Sequence, residues 1–166
     1  MAALRIAGVI PESIVDGPGI RYVLFVQGCP HHCPGCHNPQ THDPSGGQET
    51  TTEALLDDIC KRPYVHAVTL SGGEPFCQAK ELTLLAAQLK ARGFHLMCYS
   101  GFTLEQLLAR PDARALLEQL DLLVDGPFVE ARRDIALRFR GSDNQRVLDV
   151  PASLAKNAPV WCEKYR

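Results

Sequence analysis

The stretch Cys29-Pro30-His31-His32-Cys33-Pro34-Gly35-Cys36 constrains this chain more than any other. It has the form C-x3-C-x2-C and follows the apolar run Tyr22-Val23-Leu24-Phe25-Val26-Gln27-Gly28. Three thiols this close can converge on one soft metal centre, and two prolines and a glycine bend the backbone around it. A structural zinc site wants four protein ligands, and an electron-transfer cubane usually takes four thiolates. No fourth cysteine lies close in sequence. A cluster held by three thiolates leaves one iron without a protein ligand, and an open metal position is where a substrate or cofactor binds.

Seven cysteines is an odd number. The opening Met1-Ala2-Ala3-Leu4-Arg5 lacks the apolar run of a leader before Pro11 and Glu12. A reducing, cytoplasmic setting is therefore expected, with the thiols binding metal or staying free rather than forming a disulfide framework. No segment is long and apolar enough to suggest a membrane span. A net charge of -2 offers no broad basic field for nucleic acid. With 166 residues, 45% of them hydrophobic, one domain across residues 1–166 is expected.

Along the chain, residues 4–9 read as a strand that turns at Asp16-Gly17-Pro18-Gly19 into a second strand over 22–27. Residues 38–48 read as a polar loop. Thr50 with Glu53 offers a capping box for a helix carrying Leu55, Leu56, Ile59 and Cys60 on its apolar stripe, where Cys60 reads as a core residue. Strands are expected over 65–70, 94–99 and 120–124. A helix bearing Leu82, Leu85, Ala86 and Leu89 lies between the first two of these, and short helical pieces flank Pro111. Residues 146–150 read as a last strand, and the tail 151–166 as a segment that packs or stays mobile. The alternation predicts an α/β fold with a mostly parallel sheet whose strands are covered on both faces. The cysteine loop, Ser71-Gly72-Gly73-Glu74, Ser100-Gly101 and Asp125-Gly126 each follow a predicted strand, so they gather at the carboxyl rim, where such sheets bind ligands. There are too few units for a closed eight-fold barrel, which predicts a short, incomplete β/α barrel.

With Ser71-Gly72-Gly73-Glu74-Pro75 downstream, the cysteine loop resembles that of radical S-adenosylmethionine (SAM) enzymes. Asp16-Gly17-Pro18-Gly19-Ile20-Arg21, Cys36-His37-Asn38-Pro39, Asp125-Gly126-Pro127-Phe128 and Arg140-Gly141-Ser142-Asp143-Asn144-Gln145 narrow the likeness to activases of glycyl radical enzymes, in particular those serving anaerobic ribonucleotide reductase. The resemblance implies a partial barrel and one [4Fe-4S] cluster on Cys29, Cys33 and Cys36, with SAM chelating the open iron. It further implies reductive cleavage of SAM to methionine and a 5′-deoxyadenosyl radical, a glycyl radical enzyme as partner, and a flavodoxin- or ferredoxin-type electron donor.

On that reading Gly72 and Gly73 allow a ligand close to bare backbone. Glu74 accepts hydrogen bonds from the SAM ammonium, or serves as a carboxylate at a helix start. Gly35, Cys36 and His37 supply backbone to the adenine. Asp125 supports the methionyl group or a cation, or caps a turn; both stay open. His31 and His32 read as exposed loop residues, and Cys77, Cys98 and Cys162 receive no role. The alternatives are an activase of another glycyl radical enzyme such as pyruvate formate-lyase, a small iron–sulfur or zinc protein without SAM chemistry, and a radical SAM enzyme acting on a small molecule.

Overall fold

In the computed structural model, residues 2–166 are described; Met1, the first residue of the stretch read for a leader, lies outside them. The strands are β1 (Ala3–Ser13), β2 (Arg21–Val26), β3 (Gln48–Thr51), β4 (Ala67–Gly72), β5 (His95–Tyr99), β6 (Leu122–Asp125) and β7 (Arg146–Asp149). The helices are α1 (Thr52–Cys60), α2 (Ala79–Ala91), α3 (Leu104–Leu108), α4 (Arg114–Leu117) and α5 (Val150–Lys156), with short 3-10 turns between them. No helix among the described residues is long and apolar enough to cross a membrane.

The strands form one sheet in the order β3-β1-β2-β4-β5-β6-β7. β2, β4, β5 and β6 pair in parallel, while β1 and β7 run antiparallel to their neighbours. β3, antiparallel to β1, shares the direction of the parallel centre, so the sheet is mostly parallel. It stays open, with β3 and β7 at its edges, as the expected incomplete barrel requires.

Each crossover in the parallel centre carries helix, and the apolar stripes of α1 and α2 meet the sheet in one core that includes Leu55, Ile59, Leu82, Leu85 and Leu89. The end of α2 is set by Gly93 at φ +83, with Phe94 N–H reaching back to the Leu89 carbonyl. On the other sheet face a small cluster of Met97, Leu122, Val124, Val147 and Tyr165 lies beside a cavity, with no helix layer over it. The central strands are covered on both faces, as expected: Val23, Thr69, Met97 and Val124 are as buried as Leu24, Val68, Cys98 and Leu123.

Some expectations shift. β1 runs on past Pro11 as an irregular, bulged partner of β2. Thr50 lies inside β3 opposite Leu4, so the helix cap falls to Thr51, whose hydroxyl accepts from Ala54 N–H at 3.1 Å. Cys60, at the end of α1, is exposed rather than core. The tail packs: Asp149 N–H donates to Val160 O and Cys162 N–H to Val147 O, both at 2.9 Å, laying the last residues alongside β7.

Arg21 opens β2 as a wholly buried cation with no carboxylate partner among the described residues. Its guanidinium donates to Thr69 Oγ1 (2.7 Å), Val68 O (2.9 Å) and Pro18 O (2.9 Å), and burial pulls its pKa down to about 10. A side chain on Gly17 would meet Arg21 Cδ at 2.7 Å, so the glycine turn after β1 is shaped around this arginine.

Candidate active site

β2 delivers the chain into the cysteine loop, and the base of that loop is tied shut. Gly28 N–H donates to Thr41 O at 2.7 Å and Cys29 N–H to His42 O at 3.1 Å. The buried Gln27 amide donates to Gln40 O and Asp43 O. Within the loop His32 (φ 50) and Gly35 (φ 73) take left-handed backbone. Cys29, Cys33 and Cys36 are free, half-buried and all border one cavity of about 520 Å³. Asn38 N–H already points at Cys36 Sγ, 3.4 Å away. Gly35 itself does not border the cavity; it lies under the Glu130 carboxylate, while His37 borders it with its ring 5.1 Å from Phe128.

Gly72 and Gly73 border the same cavity, but their small size answers first to the chain itself. A Cβ on Gly73 would stand 2.3 Å from Gly28 O, and one on Gly72 (φ +95) 2.6 Å from Val26 N. Gly73 N–H donates to Val26 O and Glu74 N–H to Gly28 O, so the end of β4 clasps the entry to the cysteine loop.

Glu74 is completely buried and faces protein donors. Its carboxylate accepts from Ser100 Oγ at 2.9 and 3.0 Å, from Gly101 N–H at 2.8 Å and from Phe76 N–H at 3.0 Å, this last as cap of the following 3-10 turn. His31 Nε2 lies 2.7 Å from Glu74 Oε1, and an ionised carboxylate only accepts, so the ring donates. His31 also stands edge-on to Phe102, with ring centroids 4.5 Å apart, over a Gly101 that has no room for a Cβ. His31 is therefore not an exposed loop residue; it joins the cysteine loop to the ends of β4 and β5. Both readings of Glu74 bear on this geometry: it caps a turn, and it does not border the cavity directly.

Asp125 is likewise buried. It accepts from Leu104 N–H at 2.8 Å and pairs with Arg146, whose guanidinium also reaches Glu105. Behind it the Gln145 amide accepts from Gly141 N–H and donates to Gly126 O, while Asn144 donates to Pro127 O. The Arg140 to Gln145 segment thus clasps Gly126-Pro127-Phe128 and sets Phe128 as a cavity wall. Sequence reasoning reached Ser100, Gly101 and Gly126 through their strand-end positions. It had no signal for the His31 contact or for the aromatic walls Phe128, Phe139 and Tyr99.

The donor set suits a thiolate-held iron–sulfur cluster: three free cysteines on one cavity, with a backbone N–H already directed at one sulfur. As the chain stands they are not drawn together, since among the described residues no three His, Cys, Asp or Glu side chains form a metal-ready group. Burial pushes the Cys29 thiol pKa up, and the nearby Glu74, Cys33 and Cys36 push it the same way. A bound cation would favour the charged form of Cys29. A cavity of this size falls within the range that encloses a small-molecule ligand.

Comparison with known proteins agrees with this arrangement. Residues 15–148 match the family described as a 4Fe-4S single cluster domain. The anaerobic ribonucleoside-triphosphate reductase-activating protein of Salmonella typhimurium is 37% identical over 147 residues, covering 82% of this chain and 93% of that protein. Its namesake in Escherichia coli K12 is 36% identical over 146 residues, with the same coverage. A pyruvate formate-lyase-activating enzyme of Staphylococcus aureus is 36% identical over 159 residues, covering 89% of this chain but 62% of that protein. The solved structure of QueE from Escherichia coli is a fainter likeness (TM-score 0.49, 21% identity, 61% of this chain and 53% of that one), too slight to bear on fold or function. On the strength of the family match and of relatives that it spans almost end to end, the chain belongs to the 4Fe-4S single cluster domain family and, within it, to the anaerobic ribonucleoside-triphosphate reductase-activating proteins.

Proposed function

We infer that this protein is a radical SAM activase that generates a glycyl radical on an anaerobic ribonucleotide reductase. The observation that carries this reading is the match over 93% of the reductase activators, joined to three cysteines bordering one cavity. When bound, a [4Fe-4S] cluster with an open iron and SAM supply a one-electron cleavage that yields methionine and a 5′-deoxyadenosyl radical able to take hydrogen from a glycine Cα.

The chain's own residues divide that task. Cys29, Cys33 and Cys36 ligate the cluster. The backbone at Cys36 and His37, with Phe128 opposite, receives the adenine, and Gly35 lets the loop turn beneath Glu130. Gly72 and Gly73 present backbone to the methionyl end. Glu74 and Asp125 stiffen the rim from behind, one through His31, Ser100 and Gly101, the other through Leu104 and Arg146. Direct contact between SAM and Glu74 requires one of these protein donors to give way. A reduced flavodoxin- or ferredoxin-type protein fits as electron source, and a single domain fits one sheet that runs from Ala3 to Asp149.

The test is anaerobic reconstitution with iron and sulfide, then reduction with SAM present. Formation of 5′-deoxyadenosine that increases when the reductase is added supports the assignment. A loaded, reduced protein that leaves SAM intact overturns it.

A further inference from the structure

We propose that His42 donates a hydrogen bond from Nε2 to a sulfur of the cluster centre, either the Cys29 thiolate or an inorganic sulfide, and thereby raises the cluster's reduction potential. The inference rests on the cluster reading above and adds a residue that the cysteine spacing does not indicate.

His42 follows the 3-10 turn Pro39–Thr41, and its carbonyl accepts from Cys29 N–H at 3.1 Å, which fixes it beside the first cluster cysteine. It borders the cavity shared by the three cysteines. It also borders a second cavity behind the loop, where Cys29, Pro30 and His32 are neighbours. Its ring meets His32 edge-on, with centroids 5.7 Å apart and planes at 86°. Nε2 is out of contact with solvent and has no hydrogen-bond partner among the described residues. Buried polar atoms are seldom left unpaired, so the partner belongs to something that binds there. Arg62 Nε, Arg140 Nε and Asn144 Oδ1 are also buried and unpaired, but His42 alone among these residues is bonded through its backbone to a cluster cysteine.

A thiolate or sulfide is an anionic acceptor, and a one-electron reduction puts more negative charge on it. An N–H donor therefore favours the reduced cluster over the oxidised one, and hydrogen bonds to sulfur are an established lever on such potentials.

The experiment compares wild type with His42→Phe, which keeps a ring and removes the donor, and His42→Gln, which retains an N–H. Each is reconstituted anaerobically, assayed for iron and sulfide, and titrated at equilibrium while the reduced cluster is followed by electron paramagnetic resonance. His42→Phe is expected to load fully and to favour reduction about tenfold less, a shift of about 59 mV to more negative potential for a one-electron couple, with His42→Gln recovering part of it. A fully loaded His42→Phe at the wild-type potential overturns the proposal. If neither variant loads, wild type labelled with 15N-histidine decides: a histidine nitrogen coupled to the reduced cluster supports the proposal, and none overturns it. Failure of wild type to load a cluster at all would instead strike the cluster reading itself.

Discussion

The two banks of the cavity are held by different means. On the bank formed by the ends of β4 and β5, Glu74 is buried with donors from Ser100, Gly101, Phe76 and His31, and Gly73 presses on the Gly28 carbonyl too tightly for a side chain. On the cysteine bank the three thiols are half exposed, the backbone is left-handed at His32 and Gly35, and the Asn38 N–H points at one sulfur. The first bank owes its shape to hydrogen bonds complete in the chain alone. The second is tied chiefly at its base. This division is physically sensible, because a carboxylate among four donors is satisfied by the chain alone, whereas thiols form only weak hydrogen bonds.

Substitutions can break or sharpen that contrast. The largest loss of stability is expected for Gly73→Ala, whose Cβ would stand 2.3 Å from a backbone oxygen that cannot swing away. Denaturant unfolding of the metal-free protein should show a loss of about 3 kcal/mol. Glu74→Gln comes next: an amide offers two hydrogens where three or four donors point, and loses the charge they favour. About 2 kcal/mol should go, together with slower loading of iron into a loop no longer held by His31. Stability unchanged in Glu74→Gln would mean that the buried carboxylate does not hold the rim.

A control lies far from both banks. Asp58 on α1 accepts from Tyr22 Oη at 2.7 Å and pairs with Lys61 and Arg62, and the Tyr22 hydrogen bond is the main cause of a pKa lowered to about 2. Because the folded carboxyl releases its proton more readily than the unfolded one, its contribution is full above the ordinary aspartate range and is lost as pH falls through about 2. Asp58→Asn should cost about 1 kcal/mol at pH 7, allowing for its partial exposure, and almost nothing near pH 2, with metal loading unaffected. Smallest of all on the fold is Cys33→Ala, expected within about 0.5 kcal/mol of wild type when metal-free, yet unable to keep the cluster. Global unfolding of that variant would show that the loop supports the sheet, contrary to the division drawn above.

Much of the parallel centre is legible in the sequence because β-branched and apolar runs stop at glycine pairs, and the three cysteines stand out because so tight a spacing has few uses other than metal binding. What escapes is contact between distant residues. His31 and Glu74 are separated by 43 positions, and no periodicity links a loop histidine to a strand-end carboxylate. Paired glycines after a strand signal a close approach without saying whether the chain or a ligand approaches, and here Gly28 and Val26 do. Cys60 shows a related gap: helical spacing places it on an apolar stripe, but the buried line of α1 runs through Thr52, Leu55 and Ile59 and leaves Cys60 exposed. β3 is only four residues long and polar, so its pairing with β1 leaves no pattern to read.

The function proposed for this cavity is to place a radical on a reductase glycine. Its most direct test mixes the reconstituted, reduced protein with SAM and an anaerobic ribonucleotide reductase in the absence of oxygen, and records the electron paramagnetic resonance spectrum. The expected result is a glycyl radical signal that requires all three of Cys29, Cys33 and Cys36 and is absent when the reductase's target glycine is replaced by alanine. A signal with pyruvate formate-lyase but none with the reductase would contradict the assignment of partner, and SAM cleavage with no protein radical on either would contradict the function.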